Sequence, residues 1–161
     1  MEQKNQLGLV TENNQNSSMP ALWKSSQAEP WIRTKKEMEL YQCRNEKQIA
    51  EFTALDYKPL ISLLTWWREM LGITATPTDY EKEMCLMHIR ESYADMTIPD
   101  IKLAVKYSLE GEFEVDSVAY NSFSPAYISR ILNGYKKYKD RQLYKILKEK
   151  EAHEQKIKDS Q

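Results

Sequence analysis

The sequence predicts an all-α fold: a compact bundle of about four helices plus a long basic C-terminal helix, preceded by a disordered N-terminal arm. Three observations carry this. Four Gly and six Pro in 161 residues are too few turn formers for an all-β sandwich, which needs a turn signal every few residues. Ser/Thr-x-x-Asp/Glu signatures recur in front of apolar runs, as at helix starts. In the last quarter of the chain, apolar residues return at helical spacing over more than five turns.

The first 33 residues are rich in Gln, Asn, Ser and Glu and hold too little branched apolar surface to offset the entropy of ordering them. They read as a disordered arm with two aromatic islands, one around Trp23 and one around Trp31. Both are candidate docking elements for a partner's groove, and folding back onto the chain's own body is the equally weighted alternative.

The helical domain is expected over 34–150. Thr34 with Glu37 opens a first helix over about 35–52, whose sparse apolar residues Met38, Tyr41, Ile49 and Phe52 place it at the surface. A second runs from about Lys58 to Leu71, with Asp56 as cap, Pro59 in the first turn and Gly72 as stop. Its Leu60, Ile61, Leu63, Leu64, Trp66, Trp67, Met70 and Leu71 leave little polar surface and mark it as the core helix.

Thr78 and Glu81 open a third helix to about Ala94, with Tyr80, Met84, Met87, His88 and Tyr93 as its stripe. Thr97 and Asp100 open a fourth, which Gly111 ends. Residues 112–115 alternate polar and apolar, the pattern of a short extended segment. Ser124-Pro125 starts the last helix, and 151–161 reads as a charged tail.

The net charge is −1, yet the charge is segregated. Residues 79–123 hold ten acidic against four basic side chains, and 124–161 ten basic against five acidic. Opposite parts of the chain therefore carry opposite fields. On a helical projection of the last helix, Ile128, Ile131, Leu132, Tyr135, Tyr138, Leu143 and Ile146 form the packing stripe.

On the opposite side Arg130, Lys137, Arg141 and Lys148 fall within about 40° of one another, with Tyr144 beside them. Together with Lys136 and Lys145 these are the candidate nucleic-acid-binding residues. Cations neutralise phosphates, and interleaved tyrosines stack on unpaired bases; DNA is favoured over RNA. The competing reading is a basic face turned to the acidic 79–123 region of the same chain or of a second copy. Asn133-Gly134 lies midway, and a glycine there is able to break the row.

No catalytic constellation emerges. Cys85 and His88 share a helical face at a spacing that can seat two metal ligands, but Cys43 and His153 stand in unrelated contexts. A buried thiol and a core-edge imidazole explain the pair better. With Gly8, Gly72, Gly111 and Gly134 each isolated, no glycine-rich loop can cradle a nucleotide. No metal, no cofactor and no enzymatic activity are expected. Two cysteines without a secretory leader suit reduced thiols and a cytoplasmic location, and no apolar run is long enough for a membrane span.

The segments Thr97-Ile98-Pro99-Asp100-Ile101-Lys102-Leu103-Ala104 and Tyr120-Asn121-Ser122-Phe123-Ser124-Pro125-Ala126-Tyr127-Ile128-Ser129-Arg130-Ile131-Leu132-Asn133-Gly134-Tyr135 resemble small helical replication accessory, helicase-loader-like proteins of bacteriophages and bacterial mobile elements. The resemblance covers about 40 residues. It implies a non-enzymatic protein that binds nucleic acid, a replicative helicase, or both. The absent nucleotide loop confines it to the ATP-independent kind. The alternative is a purely protein-binding or structural adaptor, self-associating through its basic helix and acidic region.

Overall fold

A computed structural model describes residues 29–119 and 122–161. The arm up to residue 28, with Trp23, and the pair at 120–121 lie outside the described residues. Among those described there are five α-helices and no strand: α1 (Lys35–Gln42), α2 (Tyr57–Met70), α3 (Asp79–Ser92), α4 (Ile98–Glu110) and α5 (Pro125–Asp159). The all-α expectation is met. The described residues divide into two compact units, one over Leu40–Tyr144 and one over 29–39 with Lys145–Gln161.

In the Leu40–Tyr144 unit, Leu60, Leu63, Leu64 and Trp67 of α2 join Cys85 and Ile89 of α3, Ile101, Ala104, Val105 and Tyr107 of α4, and the α5 stripe from Tyr127 to Tyr138 in one core. The starts of α3 and α4 have a local cause. The Thr78 hydroxyl accepts from the Glu81 N–H and the Glu81 carboxylate from the Thr78 N–H, both at 3.2 Å. Thr97 and Asp100 form the same reciprocal box at α4. Gly72 and Gly111 adopt φ of 72° and 75°, the left-handed turn that releases the chain from α2 and α4 at little cost only for glycine.

Several expectations need correction. The first helix does not reach residue 52: α1 ends at Gln42, and two 3-10 turns follow, Cys43–Asn45 and Ile49–Glu51. Gln48 there forms an isolated antiparallel bridge with Thr97, and the Ile49 and Ala50 N–H groups donate to the carbonyls of Met96 and Ala94 at 2.9 Å. Tertiary pairing replaces the helical bonds, and Ile49 becomes core.

Asp56 does not cap α2 with its side chain. Its carboxylate instead accepts the Thr53 N–H at 2.8 Å and meets Lys47 at 3.0 Å. The α3 stripe is also displaced. Tyr93 is buried as expected, but Tyr80 and Met87 are exposed and Cys85 and Ile89 are buried in their place.

Residues 112–115 form no strand; Phe113 turns into the core instead. Gly134 does not interrupt α5, which is one helix of 35 residues. A Cβ at Gly134 would lie 2.9 Å from the Phe113 ring, so the missing side chain makes room for that ring within the core.

In the second unit the last residues of the expected arm are structured. The Thr34–Glu37 box forms as the sequence implies, Ile32 is buried, and Arg33 pairs with Glu149 at 3.0 Å. The charged tail is helical to Asp159.

Candidate functional site

The seven residues of the expected basic surface are not equivalent. Arg130 is exposed, but its guanidinium donates to the Val118 carbonyl at 2.8 Å and lies over the Tyr127 ring at 5.2 Å. Lys136 meets Asp95 at 3.1 Å. Lys139, one turn from Lys136 and outside the predicted set, is bound by the buried Asp100 at 2.7 Å.

Two carboxylates of the acidic 79–123 region thus answer cations of α5 within the same unit, as the competing reading expects, and of the seven candidate residues this involves Lys136. Lys137 and Arg141 stay exposed with no carboxylate partner among the described residues. In the second unit Lys145 is likewise exposed, as are Tyr144 of the first unit and Lys148 of the second, both of which make further interactions within the chain.

The Asp100 contacts form a closed polar knot. One carboxylate oxygen accepts from the Thr97 N–H and hydroxyl at 3.1 and 3.0 Å. The other accepts from the Tyr135 hydroxyl at 2.6 Å and the Lys139 ammonium at 2.7 Å. Burial raises the Asp100 carboxyl, but the hydrogen bonds from Lys139 and Tyr135, the Lys139 charge and the Thr97 N–H outweigh it, and the group is held below its ordinary range. Burial, with Asp100 alongside, pushes the Cys43 thiol up to about 12 and raises Tyr135 as well. These are inert, tightly held groups, and the knot ties α4 to α5.

Cys85 and His88 do not converge on a common point. Burial raises the Cys85 thiol, while His88 Nε2 lies 2.6 Å from the Ser129 hydroxyl. Next to it the Tyr93 hydroxyl donates to Asn133 Oδ1 at 2.7 Å. Among the described residues no three potential ligands cluster as a metal site would require. Trp31, expected as a docking element, lies in the second unit with its ring 6.0 Å from His153 and 5.5 Å from the Lys150 ammonium. It is half-buried against its own chain.

A feature missed by sequence reading is an open cavity of about 900 Å³ between α2, the 71–78 loop and the start of α3. Its apolar lining includes Ile61, Leu64, Ile73, Leu86 and Phe123. The Arg68 guanidinium donates to the Ala75 carbonyl and so holds the loop that forms one wall. Ile61 is 47% exposed although it stands in the helix read as wholly core; Trp66 and Met70 are exposed too. By helical projection these two emerge on the flank away from Ile61.

The signal for this surface was present. Eight apolar residues in one 14-residue helix exceed what a single core face can cover.

No family model matches this chain, and neither a curated protein nor a solved structure matches it. Among the described residues no helix is long and apolar enough to cross a membrane.

Proposed function

We propose that the chain is a non-enzymatic protein-binding adaptor whose docking surface is the apolar groove between α2 and α3. One observation supports this above the others: an open cleft of about 900 Å³ floored by Leu64, Ile73, Leu86 and Phe123, with Ile61 presented at its edge. That size is at the upper end of ligand pockets, and a groove with an apolar floor is what an inserted apolar segment needs. Its thiol, Cys85, is buried and raised, which disfavours nucleophilic chemistry by that group.

Panning a random peptide library against the full chain tests the reading. Enriched peptides should carry apolar anchors, and their affinity should fall about tenfold with Ile61→Gln. Enrichment that does not depend on Ile61 defeats it.

A second reading, polyanion binding, is favoured by Lys137 and Arg141, which remain exposed with no carboxylate partner among the described residues. The resemblance to replication accessory proteins points the same way, toward DNA or a replicative helicase as partner. With two phosphates engaged, log affinity would fall with log salt at a slope of about −2. Lys137→Glu with Arg141→Glu should then abolish the low-salt mobility shift of a DNA oligonucleotide; an unchanged shift removes those two residues from any DNA site.

A further inference from the structure

The rim of the groove differs in character from its floor. Glu69 at the end of α2 and Asp79 and Glu83 at the start of α3 line it, are exposed, and have no ion-pair partner among the described residues. Glu81 also lines the groove, but its carboxylate is used by the Thr78 N–H. Of the two cations on the rim, Arg68 is tied to the Ala75 carbonyl but keeps its charge, as Lys82 does, so four acids against two cations leave the rim with a net charge of −2. An apolar trough whose rim is net negative favours basic segments over acidic ones.

From this we infer that the groove receives an amphipathic helical segment of a partner protein, with apolar anchors at i, i+3, i+4 and i+7 spacing and lysines or arginines flanking them. The inference deepens the adaptor reading and rests on it. Helix-in-groove recognition uses that spacing, and basic flanks meet Glu69, Asp79 and Glu83 while the anchors cover the floor.

The chain's own basic helix is a poorer occupant. Between Arg130 and Lys148 its exposed large apolar side chains are Tyr144 and Leu147, so a second copy docking there would bring charge to the trough instead of filling it.

The test uses the full chain and two labelled synthetic peptides of about 16 residues, long enough for a marginal helix. Both carry leucines at the stated spacing; the remaining positions alternate Gln with Lys in one and Gln with Glu in the other. Fluorescence anisotropy should show saturable binding of the basic peptide, and binding of the acidic one at least tenfold weaker. The difference should shrink as salt rises from about 0.05 to about 0.5 M, where the Debye length falls to a few ångströms.

Ile61→Gln should weaken the basic peptide about tenfold. Glu69→Lys with Glu83→Lys should reverse the order of the two peptides. Glu91→Lys with Glu114→Lys, at exposed acids outside the groove, should leave the order as it was.

Equal binding of both peptides with Ile61 dependence overturns the charge preference and leaves the adaptor reading standing. Loss of preference in the Glu91/Glu114 variant as large as in the Glu69/Glu83 variant overturns it as well, because net charge alone would then be the cause. Binding of neither peptide in an Ile61-dependent way overturns the inference and the adaptor reading together. A dimer in sedimentation that Ile61→Gln converts to monomer overturns the partner helix in favour of a second copy.

Discussion

Replacing Asp100 by Ala should be the most damaging single change to a polar side chain in the Leu40–Tyr144 unit, and its cost can be worked group by group. Asp100 is 1% exposed and Tyr135 is fully buried. Removing the carboxylate strands the Tyr135 hydroxyl, a buried donor worth about 1–3 kcal/mol when left unsatisfied. It also opens the Thr97 box at the start of α4, at about 1 kcal/mol. The Lys139 ammonium, 18% exposed, can turn its head toward water, so its share stays near 1 kcal/mol.

The total, roughly 3–5 kcal/mol, matches the general cost of breaking a buried pair by deleting one partner and is a large part of a typical domain's stability. Urea unfolding at neutral pH followed by circular dichroism measures it. Asp100→Asn should lose about half as much, because its carbonyl keeps one acceptor. The Asp100 carboxyl is lowered from its ordinary 3.8 in the folded state. Its contribution is therefore complete above about pH 4 and disappears as pH falls through the lower folded value. The gap between wild type and Asp100→Asn should accordingly narrow only on strong acidification. A loss under about 1 kcal/mol for Asp100→Ala, or a gap that closes between pH 8 and 6, would refute the reasoning.

Other outcomes follow from the same geometry. Lys139→Ala should cost about 2–3 kcal/mol, whereas Lys136→Ala should stay within about 0.5 kcal/mol, because Lys136 and Asp95 are 37% and 61% exposed and exposed pairs contribute little; paired urea melts compare them. Gly134→Ala should lose about 1 kcal/mol, since crowding against the Phe113 ring at 2.9 Å outweighs the gain in helix propensity. In a Phe113→Ala background the same change should gain about 0.5–1 kcal/mol, as a double-mutant cycle in urea would register. Cys43 should stay unreactive in the native protein toward a chromogenic thiol reagent at pH 8 and react fully after denaturation, because its thiol lies at about 12 and the thiolate is the attacking species.

The fold was legible where the information is local. The boxes at Thr34, Thr78 and Thr97, the glycine stops at Gly72 and Gly111 and the Ser124-Pro125 start depend on neighbours within one turn, and each lies where the sequence places it. The packing stripe of α5 was legible because a long run averages over single residues: six of its seven positions are buried and Leu143 is half-buried.

What failed depends on distant partners. Nothing near Gln48 announces that its neighbours will bond to Met96 and Ala94, so the local pattern overstates the length of the first helix. The α3 stripe was misplaced because Tyr80 and Met87 are apolar enough to mimic a core face that the bundle leaves open.

The candidate site shows the same division more sharply. A helical projection of α5 shows which cations share a face but not which carboxylates stand opposite, and Lys136 and Lys139 find theirs on the segment between α3 and α4 and at the start of α4. Local charge counts therefore overstate a free basic surface wherever acidic and basic segments of one chain are packed together, since the attraction between them is partly spent in cis. The converse holds for α2. Its apolar excess was assigned to burial because buried and unpartnered apolar residues look the same in a sequence, and only the packed neighbours reveal that Ile61 has no cover. The proposed docking surface accordingly lies on the most apolar helix and not on the most charged one, because exposed hydrophobic surface in a folded chain requires an explanation.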